Sequence, residues 1–137
     1  MPKVGKKHFK YTKEGYAKAK AYAKKVGKKL VYKNASVDLT TTDKTTVYTC
    51  PSETTAIIKS IRVTEDSGNA DTIAVEFYDD SETATFKITG TKAISANASA
   101  ELFSAPFVLE ESDIIKATAG TANRIHVIIS LLQLTRD

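Results

Sequence analysis

Outside its lysines, this chain has few side chains able to do chemistry. It holds two histidines, His8 and His126, and a single cysteine, Cys50. A zinc site needs three or four nitrogen or sulfur ligands at close spacing, and these three residues are far apart in the chain. Covalent catalysis needs a nucleophile beside a base that a third group orients. Serines are plentiful, but there is no Gly-x-Ser-x-Gly elbow, and His126 is the histidine placed to serve as a base in a folded core. Cys50 precedes Pro51 at a strand end, where a small buried thiol is expected. Glu110 and Asp113 sit in a turn, with no reason to lose their hydration. The acidic runs 65–71 and 79–82 offer oxygens to calcium, yet neither follows the EF-hand spacing. No glycine-rich phosphate loop occurs. The expectation is a protein that is not an enzyme and needs no metal or cofactor.

The lysines carry the strong signal. Residues 1–33 contain 12 Lys and one acid, Glu14, a balance of 12 − 1 = +11. Residues 34–137 contain 8 Lys or Arg and 15 Asp or Glu, a balance of 8 − 15 = −7. The net charge of +4 therefore describes a cationic arm on a mildly acidic body, a separation that speaks about partners more than fold. The hydrophobic content of 42% supports a core, and most of its aliphatic residues lie after residue 34. No apolar run approaches the ~20 residues needed to cross a bilayer. No apolar stretch of a secretory signal follows the basic start, and one cysteine suits synthesis in a reducing compartment.

Two regions follow: a basic arm over 1–33 and a β-sandwich domain over 34–137. Residues 1–11 show no periodicity and read as an extended leader. Thr12 is placed to cap a helix over about 13–26, with Glu14 in its first turn and Gly27 at its end. At ~100° per residue, Tyr16, Ala19, Tyr22, Ala23 and Val26 form one narrow apolar stripe. Lys13, Lys18, Lys20, Lys24, Lys25 and Lys28 take the other side. An isolated helix of this length is marginal in water, so the stripe needs a surface to lie on.

From Leu30 the pattern becomes that of strands, with turn residues every 8–12 positions, as in an antiparallel sandwich or jelly roll. Strands are expected near 29–33, 36–40, 45–50, 55–65, 71–79, 83–89, 99–104, 113–118 and 124–134. Ile73, Val75 and Phe77 alternate with polar neighbours, as do Ala84, Phe86 and Ile88. Ile57, Ile61 and Val63 share a parity that Lys59 breaks, the mark of a bulge or bend. The last strand is apolar on both parities: Ile125, Val127, Ile129 and Leu131 on one, Ile128, Leu132 and Leu134 on the other. Such a strand is either central and covered, or part of an interface between copies.

For the arm, docking on an acidic protein surface ranks first, with Tyr16, Tyr22, Phe9 and Tyr11 as anchors. Lys3, Lys6, Lys7, Lys10, Lys20, Lys24, Lys25 and Lys28 supply the steering charge. Nucleic acid ranks second, because every arm cation is Lys rather than the bidentate Arg. A solvated tail that binds nothing ranks third, and a membrane ranks last, since the stripe is thin and lacks Leu and Trp.

Residues 45–79 (TTVYTCPSETTAIIKSIRVTEDSGNADTIAVEFYD) and 99–132 (SAELFSAPFVLEESDIIKATAGTANRIHVIISLL) resemble small β-sandwich virion proteins of tailed bacteriophages. The resemblance includes a Pro-x-x-Leu-Glu-x-x-Asp segment, here Pro106, Leu109, Glu110 and Asp113. The opening resembles lysine-rich leaders of small phage structural proteins, with Lys7, Phe9, Tyr11 and Thr12 in the matching positions. What this implies is a capsid decoration (cement) protein on the virion exterior, held to the major capsid protein by its arm. It also implies a homo-oligomer, for instance a trimer, with Ile128, Leu132 and Leu134 at the contact. A tail or head-fibre component is the alternative the resemblance leaves open.

Overall fold

The structure is a computed structural model that describes residues 3–4, 7–8 and 28–136. Every element in it is a strand. β1 (Lys3–Val4) and β2 (Lys7–His8) pair as a short ribbon. Then come β3 (Lys28–Leu39), β4 (Thr45–Thr49), β5 (Thr54–Glu65), β6 (Asp71–Asp79), β7 (Ala84–Lys87) and β8 (Lys92–Ile94). β9 (Ser99–Glu101), β10 (Phe107–Leu109), β11 (Ile114–Ala119) and β12 (Ile125–Arg136) complete the chain. The helix expected over 13–26 and its tyrosine stripe lie outside the described residues.

Two antiparallel sheets form the body. One runs β10-β5-β12-β3 with β9 also beside β5; the other runs β4-β11-β6-β7 with β8 also beside β6. The pairing is nested: β3 with β12, β4 with β11, β5 with β10, β6 with β7. A chain paired this way is a long hairpin, and rolling it up sends alternate pairs to opposite sheets. The expected sandwich is present.

Some boundaries differ from the sequence reading. The strands expected near 29–33 and 36–40 are one, because β3 keeps register with β12 from Leu39–Ile125 back to Lys28–Arg136. The polar run Lys33-Asn34-Ala35-Ser36 resembles a turn only until β12 supplies a continuous ladder. The sheet thus begins at Lys28, ahead of the boundary expected at residue 33. β8 was not foreseen, since Lys92-Ala93-Ile94 is too short to show a period.

The core lies between the sheets, where Leu39, Ile58, Ile61, Val63, Ile73, Val75, Leu109, Ile115, Ile125, Val127 and Ile129 are fully buried. Lys59 is the bulge. Ser130 pairs with Ser60 and Leu131 with Ile58, so Lys59 is skipped. One extra residue inverts the parity of everything beyond it: Ala56 and Ile58 point inward before the bulge, Ile61 and Val63 after it. Ile57 therefore does not share a face with Ile61 and Val63, contrary to the sequence expectation.

Three buried carboxylates fasten the turns. Glu65 accepts hydrogen bonds from the Ser67 and Asn69 amides at 2.8 and 2.9 Å and from the Ser67 hydroxyl. Burial alone would raise its pKa, but these donors outweigh it and hold the carboxyl below its ordinary value. Asp71 accepts from the Thr121 amide at 3.0 Å. There Gly120 passes so close that a Cβ on it would collide with the Thr72 hydroxyl. At the far end Asp113 accepts from the Glu110 and Asp80 amides at 2.9 and 3.0 Å. Asp113 is thus desolvated after all, because its partners come from two turns that sequence alone does not bring together.

Candidate interaction surface

No group of three His, Cys, Asp or Glu side chains among the described residues is arranged to hold a metal ion. His126 is not a core base: it sits on the outer face of β12 with its side chain half exposed. Its Nε2 lies 3.4 Å from both Asp38 Oδ1 and Asp66 Oδ2. Cys50 is buried, its thiol donating to the Thr54 carbonyl at 3.3 Å. Burial pushes that thiol pKa up, away from reactivity. Tyr48 is buried beside it, its hydroxyl accepting from Gln133, and burial raises its pKa too.

What stands out is the outer face of the β10-β5-β12-β3 sheet. On β12 the residues Ile125, Val127, Ile129 and Leu131 turn inward, which leaves Ile128, Leu132 and Leu134 outside. The neighbours align with them by register. Val108 pairs with Ile57, Ile57 with Leu132, and Leu132 with Tyr32. One apolar row therefore crosses all four strands. Leu134 pairs with Leu30 in the next row. Tyr32 is 78% exposed, Leu30 60%, Val108 56% and Ile128 43%, where a solvated strand face would carry polar residues. Lys59, pushed out by the bulge, places its ammonium 5.7 Å from the Tyr32 ring centroid, within cation–π range.

Along β12 the face changes character. Past the apolar rows, Ser130 donates to the Asn34 side chain at 2.8 Å, and Ser60 donates to Glu101 at 2.6 Å. Beyond Ile128 comes the His126–Asp38–Asp66 group. Two shallow hollows lie on this face, one lined by Tyr32, Lys59 and Ser130, the other by Asp38, His126 and Ile128. Such a surface can hold an apolar partner at one end and orient it by charge at the other.

Of the expected contact residues, Ile128, Leu132 and Leu134 share this face. Lys28 opens β3 at its apolar end, and Lys3 and Lys7 belong to the β1-β2 ribbon. Lys6, Phe9, Lys10, Tyr11, Tyr16, Lys20, Tyr22, Lys24 and Lys25 lie outside the described residues. Leu30, Tyr32, Ile57 and Val108 were missed. The row of Tyr32, Ile57 and Val108, with Leu30 in the row beside it, depends on the bulge at Lys59 and on pairing between strands far apart in sequence. Among the described residues no helix is long and apolar enough to cross a membrane.

Comparison with family models and with curated proteins gives no match. Several solved structures match. A chain of the T13 IBDV viral particle is 8% identical with a TM-score of 0.51, the match covering 80% of this chain and 31% of that one. A chain of Bacillus endospore appendages, disulfide-linked pili, is 17% identical with a TM-score of 0.46, covering 80% of this chain and 89% of that one. The capsid of Helicobacter pylori bacteriophage KHP30 gives 12% identity and a TM-score of 0.46, covering 77% and 91%. The likeness to the IBDV chain is one of fold, and this chain spans about a third of that protein's length.

Proposed function

We propose that this chain is a structural protein of a virion, and more narrowly a capsid decoration protein of a tailed bacteriophage. The observation that carries the reading is the nested strand order, the winding of a jelly roll, an architecture that viral capsid domains use. Among the described residues no group of three His, Cys, Asp or Glu side chains is arranged to hold a metal ion. The charge separation supplies the means of attachment. Twelve lysines in residues 1–33 suit a shell with an acidic exterior, where each cation steers and contributes a modest amount. In this reading copies of the chain associate on the outside of the capsid, and the major capsid protein is the partner.

The test follows from where the sheet begins. Removing residues 1–27 leaves β3 whole, so the truncated chain should fold and fail to bind shells stripped of the native protein. Cosedimentation at full occupancy without the arm would refute the docking role. Copy number separates the tail or fibre alternative, since decoration implies copies in proportion to the capsomers and a tail part implies few. DNA binding that weakens with a log–log salt slope near −0.9 per phosphate contacted, without shell binding, would favour the nucleic-acid reading.

A further inference from the structure

We propose that the apolar row on the β10-β5-β12-β3 sheet is the seat of the chain's own arm, with the segment 13–26 laid across it tyrosine side down. This goes beyond the shell-binding role and does not depend on it.

Connection and size both point to this occupant. The sheet starts at Lys28, paired with Arg136 at the end where Leu30 and Leu134 face outward. Gly27 alone separates that residue from the end of the helix the sequence predicts. A segment of this length, as a helix, is about 21 Å long at ~1.5 Å per residue. Four strands at ~4.8 Å spacing span about 14 Å between the outer two. The stripe of Tyr16, Ala19, Tyr22, Ala23 and Val26 is narrow and built of small residues beside two rings. It therefore fits a nearly flat sheet face better than a deep groove.

Charge agrees. Residues 1–27 carry 9 − 1 = +8 and residues 28–137 carry 11 − 15 = −4, and the half-exposed carboxylates of Asp38 and Asp66 lie at the far end of the same face. With the tyrosines down, Lys13, Lys18, Lys20, Lys24 and Lys25 form a single outward basic surface. Because the segment is tethered next to its seat, its effective concentration there is far above that of a separate molecule.

A double-substitution cycle on the full-length chain, with no capsid or nucleic acid present, tests the contact. The arm variant is Tyr16→Ser with Tyr22→Ser, the face variant is Leu132→Thr, and the third protein combines them. Each variant is expected to lower the thermal midpoint by a few degrees, and the combination to fall no further than the face variant by itself, because both break one contact. An arm variant that leaves the midpoint unchanged, or a combined loss equal to the sum, overturns the proposal. Light scattering at low and high concentration supplies the second reading. If the parent is a multimer that the face variant dissociates, a second copy covers the row and the proposal fails. Should Leu132→Thr lose its far-UV β signal, Val108→Thr at the other end of the row takes its place in the cycle.

Discussion

The two outer faces of this sandwich obey different rules. On the β4-β11-β6-β7 sheet the matching transverse row reads Thr46, Lys116, Glu76 and Lys87. Lys44 adds a salt bridge to Glu76 at 3.1 Å, and Lys116 lies 5.4 Å from the Tyr78 ring centroid. Opposite charges facing each other across strands are how a sheet face lives in water. On the β10-β5-β12-β3 sheet the row reads Val108, Ile57, Leu132 and Tyr32. Two sheets of one sandwich share one core, so the core cannot explain the difference. An apolar row on a solvent face marks a surface kept for contact.

That contrast can be broken by mutation, and the largest effect lies on the core side of the same strand. Ile129→Ala, which removes a fully buried side chain, should cost about 3 kcal/mol in urea unfolding. The adjacent Ile128→Ala, on the outer face, should cost under about 1 kcal/mol in the isolated chain. Equal losses would mean that the outer face is as firmly packed as the core.

A second effect concerns the turn that closes β5. Glu65 has its pKa held below the ordinary value in the folded chain, so its contribution to stability is present above the unfolded glutamate pKa. It is lost as pH falls through the lower folded value. Stability should therefore drop in that acidic window, and Glu65→Gln should be less stable at neutral pH with a flatter acid profile. An unchanged profile would show that another carboxylate governs acid unfolding.

The smallest effect belongs to the solvated face. Lys44→Ala should change stability by no more than about 0.5 kcal/mol, because the bridge to Glu76 is exposed on the lysine side. Added salt should erase even that. A larger loss would mean that the Thr46-Lys116-Glu76-Lys87 row also works as an interface.

Much of the body was legible in the chain. Alternation in 71–79 places Ile73 and Val75 inside, where they are, and Lys59, which breaks the parity of its strand in the sequence, is the bulge. What escaped was everything that depends on a partner strand. Whether Lys33 to Ser36 makes a turn or a strand is settled by β12. The burial of Asp113 is settled by the Asp80 and Glu110 amides, and the outward turn of Ile57 by the bulge.

The sequence by itself determined the all-β body, the separation of charge between arm and body, and the lack of a catalytic motif. These depend on composition and on local period, which a chain carries wherever it folds. Tertiary structure alone decided the nested strand order and the gathering of Val108, Ile57, Leu132 and Tyr32 into one row. Strand register is fixed across long sequence separations, and a single extra residue such as Lys59 reverses which face a side chain takes.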